Sequence, residues 1–445
     1  MEKEKSFYTK VAFIVFAIFL FFLGYALREN AAGGGKEFYN LSWPIVQSLK
    51  EDFIYTIKNY GSFKDYSFPL THIINAFINP FSDSEKSFQL FNTFLSFMVF
   101  LVFGYVLKSN FQNSKFTNIW ILSSVILFLP FFRTSAFWGK SENFGWLFFL
   151  LSIYFFLKVK KNILYNPSKK DLFNVVLFCF LSSCALYARQ ALMFLPISYL
   201  FYLFLYKANK KIIFVSIFSY IIFSIPGILL IMTWGNLFDT KTVDNYFISF
   251  VNAKYILKNI PILLSYFGFY LLPILFCELL DSGFKNFIKK YINSFFAAFT
   301  FFIILYQFNF LEYLGNYTIG GGAILKLNYL IIKNNYLLFL LIACVGFAAI
   351  YNLIKEDPKN NLIILIPLFI IYGFPNLLYQ EYVEPLIIFI FFLTLNTSLH
   401  KIYFSKISIY NFILLSYFTI YLLGSIYFKH FAFNTLDKWK LFLNM

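Results

Sequence analysis

Long apolar runs separated by short, Lys-containing segments dominate the chain. They fall near residues 11–27, 88–107, 119–132, 144–157, 173–187, 191–206, 212–234, 260–277, 292–311, 336–354, 362–378, 385–399 and 408–428. Because about 20 apolar residues cross a bilayer as a helix, the pattern predicts an all-α polytopic membrane protein. About eleven to thirteen transmembrane helices are expected, in one membrane domain over residues 1–445. The first run follows Lys3, Lys5 and Lys10 and ends at Arg28-Glu29-Asn30. Those residues lack the small-residue signature of a cleavage site, so this run is expected to be a signal anchor.

One gap in the pattern stands out, the polar stretch 28–87 between the first two runs. Within it Ile45, Leu49, Phe53 and Ile57 recur every four residues, with Val46 and Ile54 beside them. Ser42 and Pro44 precede this stripe and Asn59-Tyr60-Gly61 follows it, which are start and stop signals for an amphipathic helix. Such a helix is expected to lie flat in the membrane interface. The run 68–81, bounded by Pro69 and Pro80, is too short to span and is expected to dip into or lie along the same interface.

Composition places the chain firmly among membrane proteins, with 60% hydrophobic and 13% charged residues against roughly a quarter charged in soluble domains. A net charge of +16 invites a nucleic-acid reading. Here, though, Lys is spread in short clusters between apolar runs, as where loops face an anionic membrane surface, and no nucleic-acid partner is expected. With the N-terminus in the cytoplasm, Lys158, Lys160, Lys161, Lys169 and Lys170 share one cytoplasmic loop, and Lys285, Lys289 and Lys290 another. The same alternation sends Arg28, Arg133 and Arg189, the three arginines of the chain, to the non-cytosolic side. Cys179, Cys184, Cys277 and Cys344 all sit in apolar runs, and the histidines are isolated, so neither disulfides nor a metal site is expected.

The candidate chemistry lies in the non-cytosolic connections. Glu37 follows Gly33-Gly34-Gly35 and Lys36, where the backbone turns freely and a carboxylate is placed to act as a general base. Asp65 is the alternative base, shortly before Pro69 and His72. Arg133, Lys140 and Glu142 share one short turn with Trp138. Arg189-Gln190 sits between two apolar runs with almost no loop, so its guanidinium lies near membrane depth and needs an anionic partner. That partner is either a carboxylate, Glu142 or Glu381, or a phosphate, for which planar Arg is well suited. Gly320-Gly321-Gly322 before Lys326 offers backbone N–H groups and a cation to an anion. Glu381 and Glu384 stand at the start of an apolar helix, where they also suit its dipole.

These residues resemble the GT-C superfamily of polyprenyl-phosphate-sugar-dependent glycosyltransferases, most closely the dolichyl-phosphate-glucose α-1,2-glucosyltransferase type and its prokaryotic relatives. Lys36-Glu37-Phe38-Tyr39 stands where that type has an Asp-Glu-x-Phe-His-like motif, and Asp65 to Pro69 resembles its Asp-Pro-x-x-Thr-x-Pro element. Arg189-Gln190 looks like its Arg-Gln-Thr-Asn motif, and Glu381-Tyr382 to Pro385 resembles its late Arg-Tyr-Tyr-x-x-Pro element. The chain departs from the family at Lys36, at Ala191-Leu192 and at the missing late Arg. The resemblance implies inverting, metal-independent sugar transfer from a polyprenyl-phosphate donor to a glycan or lipid-linked acceptor, with no cofactor. It implies Glu37 or Asp65 as the base and Arg189, Gln190, Arg133, Lys140 and Lys326 around the donor phosphate. Glu142, His72 and Glu381 would line the substrate. Alternatives are a surface-polysaccharide polymerase or ligase, and a lipid-linked oligosaccharide flippase, which would be expected to show repeats or broken helices.

Overall fold

The computed structural model describes residues 2–63, 67–112, 114–160, 162, 164–234, 253–308, 311, 314, 322–332, 336–375, 378–405 and 407–430. In chain order the helices are α1 (Glu2–Ala26), α2 (Trp43–Glu51), α3 (Phe53–Lys58), α4 (Glu85–Asn110), α5 (Phe116–Ser124), α6 (Pro130–Trp138), α7 (Glu142–Lys160), α8 (Lys169–Ala188) and α9 (Phe194–Leu205). There follow α10 (Lys210–Trp234), α11 (Ala253–Ser282), α12 (Phe284–Gln307), α13 (Gly322–Ile332), α14 (Leu337–Glu356), α15 (Pro358–Gly373), α16 (Leu386–Leu393), α17 (Leu399–Ser405) and α18 (Ile407–His430). Among the described residues there is no strand.

The chain is a multi-pass integral membrane protein. Among the described residues eight helices are long and apolar enough to cross a membrane, or nine with the bent pair Thr117–Phe128 and Pro130–Trp138 counted as one span. The expected eleven to thirteen are not reached, for local reasons. Three of the expected runs form shorter apolar helices, Lys10–Ala26, Gln190–Leu205 and Pro358–Gly373. The run 385–399 holds only the 8-residue helix α16, about 12 Å at 1.5 Å per residue, before α17 opens at Leu399. The run 119–132 breaks at Leu129, where extended backbone before Pro130 turns the chain by 72°.

Two compact units divide the chain. The first comprises Met1–Leu157, Cys184–Gln190 and Asn411–Met445, and the second Lys158–Ser183 and Ala191–Tyr410. In the first unit, the amphipathic stripe of the long connection does not form one helix. Asp52 is extended and its carboxylate accepts a hydrogen bond from Tyr55 N at 2.9 Å. It therefore caps a second helix, α3, and the stripe splits. Ile45, Val46 and Leu49 on α2 are buried in protein, whereas Phe53 and Ile54 on α3 are exposed. Polar side chains tie this connection to α4, with Asn92 Nδ2 donating to Asn75 Oδ1 at 3.1 Å.

In the second unit, α11 and α14 cross with their backbones touching. A Cβ at Gly268 would lie 2.0 Å from the Ile342 carbonyl oxygen, and one at Gly346 1.9 Å from that of Leu264. Close approach through small residues is how helices associate in lipid, where burial of apolar surface gives no net drive. The non-helical segment after α15 is held by one polar face of α11. Asn259 Nδ2 donates to Gly373 O at 3.1 Å, Tyr266 Oη to Leu378 O at 3.3 Å, and Tyr270 to Glu384. Irregular backbone at membrane depth needs such internal partners.

Candidate active site

The site in the first unit begins where α1 ends. Arg28 takes a left-handed conformation (φ 52°) and Glu29 N bonds back to Gly24 O at 2.9 Å, a Schellman-type close. This turn brings the Glu29 carboxylate onto Arg133 of α6. Arg133 Nε donates to Glu29 Oε1 at 2.8 Å, Nη1 to Leu127 O at 2.9 Å and Nη2 to Leu20 O at 3.0 Å. Gly24 leaves room for this, since a Cβ there would stand 2.1 Å from Arg133 Nη2. Both side chains are buried. Arg133 thus binds α1 to the broken helix and satisfies the Leu127 carbonyl next to the break, so four of its five N–H donors point at protein acceptors.

From Glu29 the chain runs flat over the end of α6. Trp138 Nε1 donates to Glu29 O at 2.9 Å and Ala32 N to Thr134 Oγ1 at 3.0 Å. The glycine run passes so close that a Cβ at Gly34 would meet Thr134 Cγ2 at 2.6 Å. Its N–H groups at Gly33 and Gly35 are taken by Asn30 O and Asn30 Oδ1. These glycines serve close packing. The path delivers Glu37 to Lys140, with Nζ to Oε2 at 2.8 Å. Glu37 is 43% exposed and Lys140 6%, so the carboxylate sits at the mouth of the pair and the cation at its base. Beneath them Phe38 packs on Trp43, Phe88 and Trp138 with ring centroids 5.6–6.1 Å apart.

One residue beyond the same turn, Glu142 starts α7 in a buried position. It pairs with Arg189 Nη1 at 2.9 Å and accepts from Ser135 Oγ at 3.2 Å. Lys140 also acts on it electrostatically. Four of the residues singled out in the sequence, Glu37, Lys140, Glu142 and Arg189, therefore gather from three separate stretches of chain. Lys140 and Glu142 lie between α6 and the start of α7, Arg189 just beyond α8, and Glu37 in the connection after α1. The end of α18 reaches that same connection, as His430 Nε2 accepts from Asn30 N at 3.3 Å.

The other expected site residues are placed differently. Gln190 opens a 3-10 turn directly after Arg189. His72 is buried, and its Nδ1 lies 2.7 Å from Tyr60 Oη. Asp65 lies outside the described residues. Lys326, on α13, and Glu381, in the turn Gln380–Tyr382, are half-buried and belong to the second unit. There Glu384 is buried and takes the Tyr270 hydroxyl, while Gln380 Nε2 donates to Tyr270 Oη at 2.6 Å. The helix-start position of Glu384 marks it in the sequence, but its partner is 114 residues away. Glu29 signals itself in the sequence only as a carboxylate at a span end. Among the described residues, no group of three or more His, Cys, Asp or Glu side chains is gathered in a way that could hold a metal ion.

Chemically, the first-unit cluster offers a half-exposed carboxylate beside two largely buried cations, each already held by an acidic partner. Cations held in place in this way can stabilise negative charge that develops beside them during a reaction. Comparison with protein-family models, with curated proteins and with solved structures finds no match to the chain.

Proposed function

We propose that the protein is a membrane glycosyltransferase that moves a sugar from a polyprenyl-phosphate carrier to a glycan or lipid-linked acceptor. The observation that carries this is the convergence of Glu37, Lys140, Glu142 and Arg189 at one end of the first unit. In the proposed orientation the N-terminus is cytoplasmic and the cluster faces the non-cytosolic side. Glu37 takes the proton of the acceptor hydroxyl as that oxygen bonds to the anomeric carbon. The bond from that carbon to the phosphate oxygen breaks, its electron pair leaves with polyprenyl phosphate, and the configuration inverts. Lys140 and Arg189 receive the growing phosphate charge through charge-assisted hydrogen bonds. Arg133, committed to Glu29 and two carbonyls, holds the scaffold.

Glu37→Gln keeps the shape of the side chain and removes its basicity. Sugar transfer, followed by mass analysis of lipid-linked glycans in cells with and without the protein, is expected to fall about 10²- to 10⁴-fold. Wild-type turnover by this variant would remove Glu37 as the base.

The helix bent by 72° favours a second reading, a lipid-linked oligosaccharide flippase, because broken helices recur in transporters. Against it, the break is fastened by the Arg133 to Leu127 hydrogen bond and the Glu29 pair. A flippase would leave glycan masses unchanged and alter only the leaflet in which the intact lipid-linked glycan accumulates.

A further inference from the structure

α18 belongs to the far end of the sequence, yet its last turn lands on the connection that carries Glu37. His430 Nε2 accepts from Asn30 N across 400 residues of chain, at a contact open to solvent. Its neighbour Lys429 lies over Gly33, where a Cβ would stand 3.2 Å from Nζ. Gly33 has a φ of 87°, a left-handed conformation that glycine adopts without strain. Asn30 and Gly33 are the two ends of one tight turn, since Gly33 N donates to Asn30 O at 3.1 Å. Two consecutive residues of α18 therefore meet both ends of that turn. Asn30 also sets the path beyond it. Its Oδ1 accepts from Gly35 N at 3.2 Å, two residues before Glu37, and a Cβ at Gly34 would stand 3.3 Å from Lys140 Cδ. One asparagine thus fixes the turn by its carbonyl and the glycine run by its side chain, and is itself held by His430 through its N–H. The 2.8 Å contact of Glu37 with Lys140 stands at the end of this series.

We infer that His430 is a positioning residue for Glu37, acting through Asn30, and that only its neutral form acts so. This rests on the reading of Glu37 as the base of sugar transfer. Asn30 N is a donor, so Nε2 must accept and the ring proton sits on Nδ1. A protonated imidazole carries N–H on both nitrogens and has no lone pair to offer. Imidazoles change charge between about pH 5 and 8, so acid leaves Asn30 N without its acceptor and releases the turn from α18. The charged groups on the elements that meet His430 are Lys429 on its own helix, Arg28, Glu29, Lys36 and Glu37 on the connection, and Arg133 and Lys140 at the α6 end. Glu29 and Glu37 are engaged with Arg133 and Lys140, and the imidazole meets a backbone amide rather than a carboxylate. A base must sit within a narrow geometry of the proton it takes, so a loosened path to Glu37 costs rate before it costs fold.

The test uses the full-length protein in lipid nanodiscs, as wild type, His430→Gln and His430→Ala. Gln offers an oxygen acceptor that does not titrate, and Ala offers none. Amide hydrogen exchange over residues 28–38 is read by mass spectrometry at about pH 5 and about pH 7.5, corrected for the intrinsic rate. At the higher pH the Ala variant is expected to exchange about fivefold faster than wild type, as for one ordinary hydrogen bond lost, and the Gln variant like wild type. At the lower pH wild type is expected to join the Ala variant while the Gln variant stays protected. Sugar transfer is then measured at the same two pH values in membranes of the expressing cells, with their own lipid-linked glycans as substrate. Acid also acts on a carboxylate base, so each variant is read as a ratio to wild type. The Ala variant is expected to be about fivefold slower at the higher pH and equal at the lower, and the Gln variant equal at the higher and faster at the lower. Equal exchange in all three proteins overturns the contact and the inference with it. Exchange as expected, with an Ala variant that transfers sugar like wild type at both pH values, overturns the positioning role and leaves the glycosyltransferase reading in place. Wild-type membranes that transfer no sugar sink that reading and the positioning role built on it.

Discussion

The two units both hold carboxylates near helix ends, but they neutralise them in different ways. In the first unit three acids each meet a cation: Glu29 meets Arg133, Glu37 meets Lys140 and Glu142 meets Arg189. In the second, neutral donors do most of the work. Glu278 takes Tyr291 Oη at 2.6 Å and shares Lys290 with Glu356, which also accepts from Thr397 and Ser398. Glu384 takes Tyr270, and Asp357 takes two asparagines. All three arginines lie in the first unit. A hydroxyl or amide offers an incoming anion a neutral hydrogen bond only. A guanidinium or ammonium offers a charge-assisted one, roughly twice as strong, when it exchanges its carboxylate for a phosphate. The difference marks the first unit as the place to look for anion chemistry and the second as self-satisfied.

The largest effect expected from this contrast is at Arg133. Arg133→Met leaves Glu29 buried without its cation and is expected to cost about 3–5 kcal/mol, read as lost folding yield or a lowered melting temperature in detergent. The double variant with Glu29→Met is expected to recover part of that loss, because neither charge is then stranded. An Arg133→Met protein that melts like the wild type would show that the first unit does not depend on its ion pairs.

How far the sequence reveals all this can be judged residue by residue. The membrane class follows from apolar periodicity, and the connection 28–87 is singled out in the sequence by its length and carboxylates. The sequence offers Arg189 two carboxylate partners, Glu142 and Glu381, and the structure pairs it with Glu142. Local pattern could name Glu37 and Lys140 but not join them, since only the flat path over α6 brings them together. It could not find Glu29, because the partner is 104 residues away and nothing in spacing encodes such a pair. The four-residue stripe hid the break at Asp52, where the capping carboxylate outweighed continued apolar periodicity. The fifteen-residue run at 385–399 hid a buried eight-residue helix, since a packed core segment and a short span look alike in hydropathy.

A smaller effect, and one that sharpens the contrast, is expected at Arg189. If its role is only to hold Glu142, Arg189→Lys replaces a planar fork with a point charge and lowers stability. If the guanidinium also receives the donor phosphate, yield and melting stay near wild type. Donor affinity and turnover then fall about tenfold, the equivalent of roughly 1.4 kcal/mol, or one charge-assisted hydrogen bond. The second outcome is expected. Unchanged donor affinity in a well-folded Arg189→Lys protein would confine Arg189 to a structural role.

The smallest effect belongs to the second unit and tests whether its acids are held as described. Asp357 caps α15, accepting from Asn360 N at 3.2 Å, Asn360 Nδ2 at 2.6 Å and Asn396 Nδ2 at 2.7 Å. Burial by itself pushes the Asp357 carboxyl up. The hydrogen bonds from Asn360 and Asn396 and the charge of Lys160 outweigh burial and hold the carboxyl below the usual carboxylate range. A carboxyl lowered on folding gives stability that is complete above its unfolded value, about 3.9. That stability is lost as pH falls through the lower folded value. Asp357→Asn keeps an oxygen for the cap but cannot titrate, so it is expected to melt slightly below wild type near pH 7 and to lose part of the wild-type decline in acid. Asp357→Ala removes the cap as well and is expected to cost about 1 kcal/mol at neutral pH. Neither change is expected to move the proposed sugar transfer, because Asp357 is not among the residues of the proposed site. A fall in turnover with Asp357→Asn, at unchanged stability, would erase the distinction drawn between the two units.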